Sequence, residues 1–445
     1  MRTMKSHSKW PLGTFLAVSV AAFGIRPAFA QSYLSGDLVQ RIDSHIASIP
    51  GASSASKYAP PTSGQFVEWS TTVGFIAEGR YREADSSARL LGAGYRVVVY
   101  ADTTTVPSRT YVLLEDSTSG GPYWGVYIFN PEPLRPSLAI QSPHPTNDSN
   151  TGRQSIRMFK DLRAAAFFIS GADRCNSTVY SPCSGTTTAC SSTAEPYRIS
   201  DQAHVTDGTF QATTLVLSSF VPGMCFVQVH GFAKLTGDPD LIMSYGTSVP
   251  PAGEDKLVQL RDNFAFEDAS LTFKVAHVDI GWTRLIATQN TQGRWLNGVA
   301  DPCSQYASSS SGRFIHVEQA YAKLRDTPTN WNKFSNALAN TFQPVSSALD
   351  QHRPEAMPTA AKLHANYPNP FNPSTTITFS LAREAQITLE VRNILGQTVE
   401  LLVNGSTPAG THSVSFEGRD LPSGAYFVSL RVEGFVQTRS MLLVR

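Results

Sequence analysis

Apolar residues recur at two different spacings along the chain, and the change between them divides the sequence. Residues 66–91 carry apolar side chains at mixed helical spacing, from Trp69 to Leu91, so helix is predicted there. Three alternating runs, at 95–100, 110–114 and 124–129, are separated by Thr, Pro, Ser and Gly residues, which is typical of strands joined by turns. Residues 31–135 are therefore predicted to form a small α+β portion packed on the main domain.

Beyond residue 136, short apolar runs alternate with helical segments. The runs at 138–141, 164–170 and 224–229 each end in a polar turn, and helices are predicted near 149–162 and 200–219. This order indicates an α/β domain with a mostly parallel or mixed sheet flanked by helices. A helix near 255–264, strands at 271–277, 284–287 and 313–317, and a helix over 326–350 complete the predicted domain, 136–350, before a Pro- and Ala-containing linker at 351–365.

Residues 366–445 show a third pattern, made of short alternating segments. They open with NYPNPFNPSTTI at 366–377 and close with MLLVR at 441–445. This series closely resembles the C-terminal sorting domain of the bacterial type IX secretion system. The resemblance implies an all-β, sandwich-like domain that binds the type IX secretion machinery.

The opposite end of the chain also indicates export. Lys5 and Lys9 precede an apolar run at 10–25, and Ala28-Phe29-Ala30 is a small-x-small cleavage site. These features predict a removed signal peptide at 1–30 rather than a membrane anchor. A retained N-terminal membrane helix is the alternative. We expect the mature protein to be secreted or held at the outer-membrane surface, with no transmembrane anchor.

Charge excludes some classes of partner. The chain has 36 basic and 35 acidic residues, and removal of Arg2, Lys5, Lys9 and Arg26 with the signal peptide leaves 32 against 35, a net charge of −3. A chain so near neutrality gives no electrostatic reason to expect binding to nucleic acid or anionic lipid.

Five cysteines are present in a chain bound for an oxidising compartment: Cys175, Cys183, Cys190, Cys225 and Cys303. Disulfides persist there. Because three of the five fall within one short loop, we predict a local bridge such as Cys183 to Cys190, and one cysteine must be left over. A thiolate metal site is disfavoured, since the paired short spacings that it requires are absent from the sequence.

The strongest candidate chemistry is a zinc site at the ends of the predicted strands. His144 and Asp148 lie on one turn after the first run, and His230 directly follows the third run. Two imidazoles and a carboxylate suit a catalytic zinc with an open position for water. Glu318, at the end of a later strand, is the candidate general base. The alternatives are that Asp148 caps the following helix and that Glu318 is a salt-bridged surface carboxylate.

This order of parts resembles, at fold level, the superfamily of zinc carboxypeptidases and N-formylglutamate amidohydrolases, over about 136–325. In that group a His and a carboxylate follow one strand, a second His follows another strand, and a Glu lies near a late strand end. The chain departs from the carboxypeptidase spacing, because its carboxylate lies four positions after His144 and position three is Asn147.

Two arginines are candidates for binding the substrate. Arg174 follows a buried run and offers a fork of donors to a carboxylate or a scissile carbonyl; the alternative is an ion pair with Asp173. The resemblance also implies that Asn290 and Arg294 grip a substrate carboxylate, as an Asn-Arg pair does in those enzymes.

Two further pairs have both a functional and a structural interpretation. Asp201 and His204 lie three apart on the helix predicted at 200–219, and would form an Asp-His relay, replace Asp148 as ligands, or serve as a cap and a surface histidine. His277 and Asp279 alternate along a predicted strand and have the same alternatives.

Other chemistries lack their motifs. The sequence contains no G-x-S-x-G elbow, no P-loop and no G-x-G-x-x-G after a strand. The sequence therefore favours a secreted zinc-dependent hydrolase of amide or peptide bonds, with a peptide or amino-acid-derived substrate. A non-enzymatic surface adhesin or binding protein, exported by the same route, is the alternative.

Overall fold

A computed structural model of the chain describes residues 32–52, 56–118, 120–345, 361–393, 396–432 and 435–444. The predicted signal peptide and residues 351–360 of the predicted linker lie outside these ranges. None of the helices in the described ranges is long and apolar enough to cross a membrane.

The body is built from twelve strands and eight helices within residues 32–345. The strands are β1 (Ser32–Gly36), β2 (Tyr95–Asp102), β3 (Arg109–Asp116), β4 (Val126–Phe129), β5 (Arg135–Ser142), β6 (Ala164–Ile169), β7 (Thr186–Thr187), β8 (Glu195–Pro196), β9 (Cys225–Gly231), β10 (Leu241–Ser244), β11 (Phe273–Val275) and β12 (Phe314–Gln319). The helices are α1 (Leu38–Ser48), α2 (Ser63–Ala77), α3 (Tyr81–Leu90), α4 (Thr151–Leu162), α5 (Thr209–Phe220), α6 (Lys256–Glu267), α7 (Thr291–Leu296) and α8 (Pro328–Thr341).

Ten of these strands form one mixed sheet in the order β1-β2-β3-β4-β6-β5-β9-β12-β10-β11. The four central strands β6, β5, β9 and β12 run parallel, whereas β2, β3 and β4 pair antiparallel. The predicted α/β class is confirmed. The strands of the N-terminal portion belong to the same sheet as the later ones, because β4 pairs directly with β6.

Helices cover both faces of the sheet. One core cluster packs α1, α4, α6 and α8 against one face, and a second packs α2, α3, α5 and α7 against the other. The helical stretch predicted at 66–91 is divided into α2 and α3, because Gly79 between them takes a positive φ of 74°, a conformation that glycine adopts readily.

Several predicted boundaries differ from the observed ones. The helix predicted at 200–219 begins only at Thr209, so Asp201 and His204 lie in a preceding turn. The strand predicted at 284–287 is a turn in which Leu285 and Ala287 have positive φ. The helix predicted at 326–350 is α8, which ends at Thr341, and residues 346–350 lie outside the described ranges.

The C-terminal region is an antiparallel β domain with its own core. Its strands are β13 (Ala361–Leu363), β14 (Ser374–Leu381), β15 (Ala385–Asn393), β16 (Thr398–Thr407), β17 (Gly410–Glu417), β18 (Gly424–Val432) and β19 (Phe435–Leu443). They form one sheet in the order β13-β14-β17 and a second in the order β16-β15-β18-β19. Phe427 leaves this core and packs edge-on against Phe220 of α5, with ring centroids 5.8 Å apart.

Two disulfides join Cys175 to Cys190 and Cys183 to Cys303. The predicted local bridge within the loop is confirmed by Cys175–Cys190. The example pairing Cys183–Cys190 is wrong, because Cys183 pairs with a cysteine 120 positions away that the fold brings beside it. The expectation of one unpaired cysteine is confirmed by Cys225, which is buried.

Candidate metal centre

Parallel pairing of β5 and β9 brings two histidines together at the edge of the sheet. Gln141 lies opposite Gln228, so His144, just past the end of β5, comes beside His230, near the end of β9. Their Nδ1 atoms are 3.1 Å apart. Both side chains are buried.

Asp148 completes a triangle of ligand atoms. Its Oδ2 lies 3.2 Å from Nδ1 of His230 and 3.4 Å from Nδ1 of His144. A turn holds it there, since the Asp148 backbone N–H donates to the His144 carbonyl at 3.0 Å. Asp148 is not the cap of α4, because the N-cap position is Asn150. The structure thus brings all three predicted ligands together.

The spacing of the three atoms fits a zinc ion. Ligands about 2.0–2.1 Å from a tetrahedral zinc are separated from each other by roughly 3.3–3.4 Å. The separations of 3.1, 3.2 and 3.4 Å are close to that edge length. One tetrahedral position would remain for water or substrate.

Hydrogen bonds on the far side of each imidazole set its orientation. Nε2 of His144 lies 2.8 Å from Oδ1 of Asp201, and Nε2 of His230 lies 2.8 Å from Oε1 of Gln228. An acceptor at Nε2 favours the tautomer that carries the proton there and leaves the lone pair on Nδ1. When both rings are neutral, both lone pairs face the position that a cation would occupy.

Asp201 links His144 and His204 to Arg174. Its Oδ2 accepts from Nε and Nη2 of Arg174 at 2.9 and 2.5 Å, and its Oδ1 also lies 2.9 Å from Nδ1 of His204. Burial favours the neutral acid, but Arg174 and the imidazoles outweigh it and hold the pKa of Asp201 well below its usual value. Asp201 is therefore a permanent anion at the rear of His144.

The imidazoles of the metal-free triangle differ in proton affinity. Burial and the charge of Arg174 lower the pKa of His144, but Asp201 and Asp148 outweigh them and raise it to about 8. Burial lowers the pKa of His230 to about 4. At neutral pH His144 is therefore cationic and His230 is neutral. Besides the Nε2 protons, the triangle holds one proton, on Nδ1 of His144.

Glu318 stands next to the triangle on β12. It lies opposite His230 in the parallel register of β9 and β12, and its Oε2 is buried without a hydrogen-bond partner among the described residues. Burial, reinforced by the charge of Asp148, raises the pKa of Glu318 to about 8. It is thus not a surface carboxylate.

His316 was missed by sequence reasoning. It lies two residues before Glu318 on the same face of β12, and its Nε2 is 3.6 Å from Oε1 of Glu318. Its ring centroid lies 4.5 Å from that of His230. Burial and the neighbouring His230 hold its pKa well below the usual value. The spacing of two between His316 and Glu318 could have predicted it, because residues two apart on a strand share a face.

The other predicted residues divide between the site and the scaffold. Arg174 is in the site, paired with Asp201 rather than Asp173, and its Nη1 is 3.3 Å from Nδ1 of His144. Arg294 is not directed into it: the guanidinium donates to Ser184 Oγ and to the carbonyls of Thr288, Pro302 and Cys303.

Asn290, His277 and Asp279 also have structural partners. Asn290 lines the site, but its amide caps α7 and donates to Gln228. His277 bonds Asp255 at 2.7 Å, and Asp279 bonds Lys274 at 2.8 Å. We assign His277 and Asp279 no part in the site.

The triangle opens into a cleft of about 430 Å³. One wall comes from the disulfide-bonded loop and the other from the segment that precedes α7. The residues lining these two walls are Thr186, Thr187, Thr188, Ala194, Tyr197 and His204 on the first, and Thr283, Leu285, Ile286, Ala287, Thr288, Gln289 and Asn290 on the second.

Comparison with known proteins identifies the C-terminal region. A family model described as a secretion system C-terminal sorting domain matches residues 365–444. The chain is therefore a type IX secretion substrate, secreted or displayed at the cell surface. No curated protein sequence matches the chain.

Two solved structures are similar to parts of the chain. The Ig1 domain of mouse SynCAM 2 is 18% identical over 16% of this chain and 81% of its own, with a TM-score of 0.13. An endo-β-1,4-mannanase from Thermotoga petrophila is 10% identical over 54% of this chain and 43% of its own, with a TM-score of 0.14.

Proposed function

We propose that the body is a zinc-dependent hydrolase of amide or peptide bonds that acts outside the cell. The observation that supports this most is the triangle of His144, Asp148 and His230, with ligand atoms 3.1 to 3.4 Å apart. The predicted resemblance to zinc carboxypeptidases and N-formylglutamate amidohydrolases belongs to the same proposal.

Zinc held by these three residues would lower the pKa of a bound water to about 7 and polarise a carbonyl. The chain supplies the proton transfers. Glu318 presents an unpaired, buried Oε2 beside the triangle, where it accepts a proton from the attacking water and delivers it to the leaving nitrogen. A nearby divalent cation favours its ionised form, which is the one that acts as a base.

Arg174 orients the scissile group. Asp201 fixes the guanidinium through Nε and Nη2, and Nη1 remains on the side of His144. A donor fixed in this way stabilises negative charge that develops on a carbonyl oxygen without reorganising during the reaction.

The test is metal content followed by a hydrolysis screen. The purified mature protein is expected to contain about one zinc per chain, and to cleave N-acyl amino acids or short peptides until a chelator removes the metal. A protein that binds no zinc when supplied with it would contradict the proposal, and would leave the alternative of a surface binding protein.

A further inference from the structure

The walls of the cleft indicate what kind of group the substrate presents. Hydroxyl and amide side chains predominate on both sides, including Thr186, Thr187 and Thr188 on one wall and Thr288 and Gln289 on the other. These groups hydrogen-bond to uncharged amides and hydroxyls, and they offer no fixed charge.

The arginine expected to grip a carboxylate lies behind one wall. Nε of Arg294 donates to the carbonyl of Thr288, whose side chain lines the cleft. Its Nη1 donates to the carbonyls of Pro302 and Cys303 at 3.2 and 3.0 Å. The guanidinium holds the wall to the disulfide-bonded loop instead of facing a ligand.

The charges at the bottom of the cleft sum to zero when zinc is bound, so they give a substrate carboxylate no net attraction. The carboxylates of Asp148, Asp201 and Glu318 are offset by one guanidinium, Arg174, and by one divalent cation if zinc is bound. Arg174 is already committed to Asp201 through two hydrogen bonds. A substrate carboxylate in the cleft would lie close to these three acidic groups.

His204 is placed to read an uncharged donor. Its Nδ1 is bonded inward to Asp201 at 2.9 Å, and its ring stacks on Tyr197 with centroids 3.5 Å apart. Because the ring also lines the cleft, Nε2 is the edge presented to a ligand. With the Nδ1 proton donated to Asp201, Nε2 accepts a hydrogen bond from an N–H group.

We propose that the cleft binds an uncharged peptide amide rather than a free carboxylate, and that His204 is a specificity-determining residue that accepts a hydrogen bond from the substrate N–H. The inference rests on the proposed function, since it assumes zinc in the triangle. It implies cleavage within a chain or near an amidated end, and not removal of a residue with a free carboxylate.

Two matched hydroxamates test this on the zinc-loaded full chain. Both derive from succinic acid and carry one hydroxamate, and the far end is a carboxylate in one and a carboxamide in the other. Calorimetry is expected to show about tenfold tighter binding of the carboxamide, the scale of one net hydrogen bond. In His204→Phe, which keeps a ring to stack on Tyr197, the preference for the carboxamide should shrink by about fivefold, because the hydrogen bond is lost while the acidic groups remain.

His412→Phe in the C-terminal domain is the matched control and should keep the preference. Tighter binding of the carboxylate, equal binding in the unsubstituted protein, or binding of neither probe by zinc-loaded protein overturns the inference while the metal site stands. Failure to load zinc at all overturns the proposed function itself, so the two failures are distinguishable. Zinc content measured in His204→Phe shows whether its effect is confined to the probe.

Discussion

The two faces of strands β5, β9 and β12 differ in what their side chains do. On one face the residues are apolar and buried: Leu138, Ile140, Val227, Val229, Ile315 and Val317. On the other face the same strands carry polar residues toward the site: Gln141, Gln228, His230, His316 and Glu318. Because successive strand residues point to opposite faces, neighbouring positions in sequence serve stability and chemistry separately.

Hydrogen bonds link the polar residues of this face to one another, beside the apolar cluster that includes Phe226 and Phe314. Nε2 of Gln228 donates to Oε1 of Gln141 and of Gln292, and its own Oε1 meets His230. Glu318 reduces the stability of the folded protein when it is ionised. Because its pKa is raised on folding, protonated Glu318 stabilises the folded state at low pH, and this stabilisation is lost as pH rises from about 4.5 through about 8.

The largest effect should come from removing the ligands on the polar face. We expect His144→Ala/His230→Ala to bind zinc at least about a thousandfold more weakly, because only the carboxylate of the three ligands remains. Metal analysis after gel filtration measures this. His364→Ala/His412→Ala, in the C-terminal domain, is the matched control. Equal zinc loss in the two double variants would count decisively against the metal centre.

The next effect separates metal binding from proton transfer. Glu318→Gln should lower the rate of hydrolysis by about 10²–10⁴-fold, the usual contribution of a general base, while zinc content stays unchanged. The rate is measured on whichever substrate the screen identifies. Retention of more than about a tenth of the rate would remove Glu318 from the mechanism.

A substitution on the apolar face should lower stability and leave zinc binding unchanged. Ile315→Ala, next to His316 in sequence, is expected to reduce the free energy of unfolding by about 2–5 kcal/mol through loss of buried contacts and a cavity. Denaturant unfolding measures the change, and the folded variant should keep its zinc. A loss of zinc from the folded variant would show that the two faces are coupled.

A smaller effect is expected behind the ligands. Asp201→Asn keeps the shape but loses the charge that supports His144 Nε2, so zinc affinity should fall about 10–100-fold. Competition with a chromogenic chelator gives the affinity. Asp173→Asn, whose carboxylate accepts from Thr146 and Cys175, is the control. An affinity unchanged in Asp201→Asn would contradict the orienting role.

The last effect concerns pH. Because the raised pKa of His144, about 8, keeps a proton in the metal-free triangle, zinc must displace it. Affinity should therefore fall by at least about tenfold per unit as pH decreases below 8, and more steeply where Glu318, whose pKa is also raised to about 8, ionises as zinc binds; above 8 it should level off. Zinc titrations between pH 6 and 9 check the slope. A flat profile would show that binding releases no proton.

The sequence predicts features that depend on local strand patterns, but not those that depend on contacts between distant segments. Strand-end positions of His144, His230 and Glu318 were predictable, because parallel strands end at one edge of a sheet. The position of Arg294 was not, since its partners are carbonyls of a distant loop. The Cys183–Cys303 pairing also depends on the tertiary fold. Asp201 lies in a turn that helical periodicity concealed.

The two disulfides crosslink segments that form the cleft. Cys183–Cys303 fastens one wall to the loop that follows α7, and Cys175–Cys190 closes the segment behind Arg174. Such bonds do not persist in a reducing cytoplasm. The newly made chain therefore lacks both crosslinks in the cytoplasm, and the walls of the cleft become covalently joined only after export.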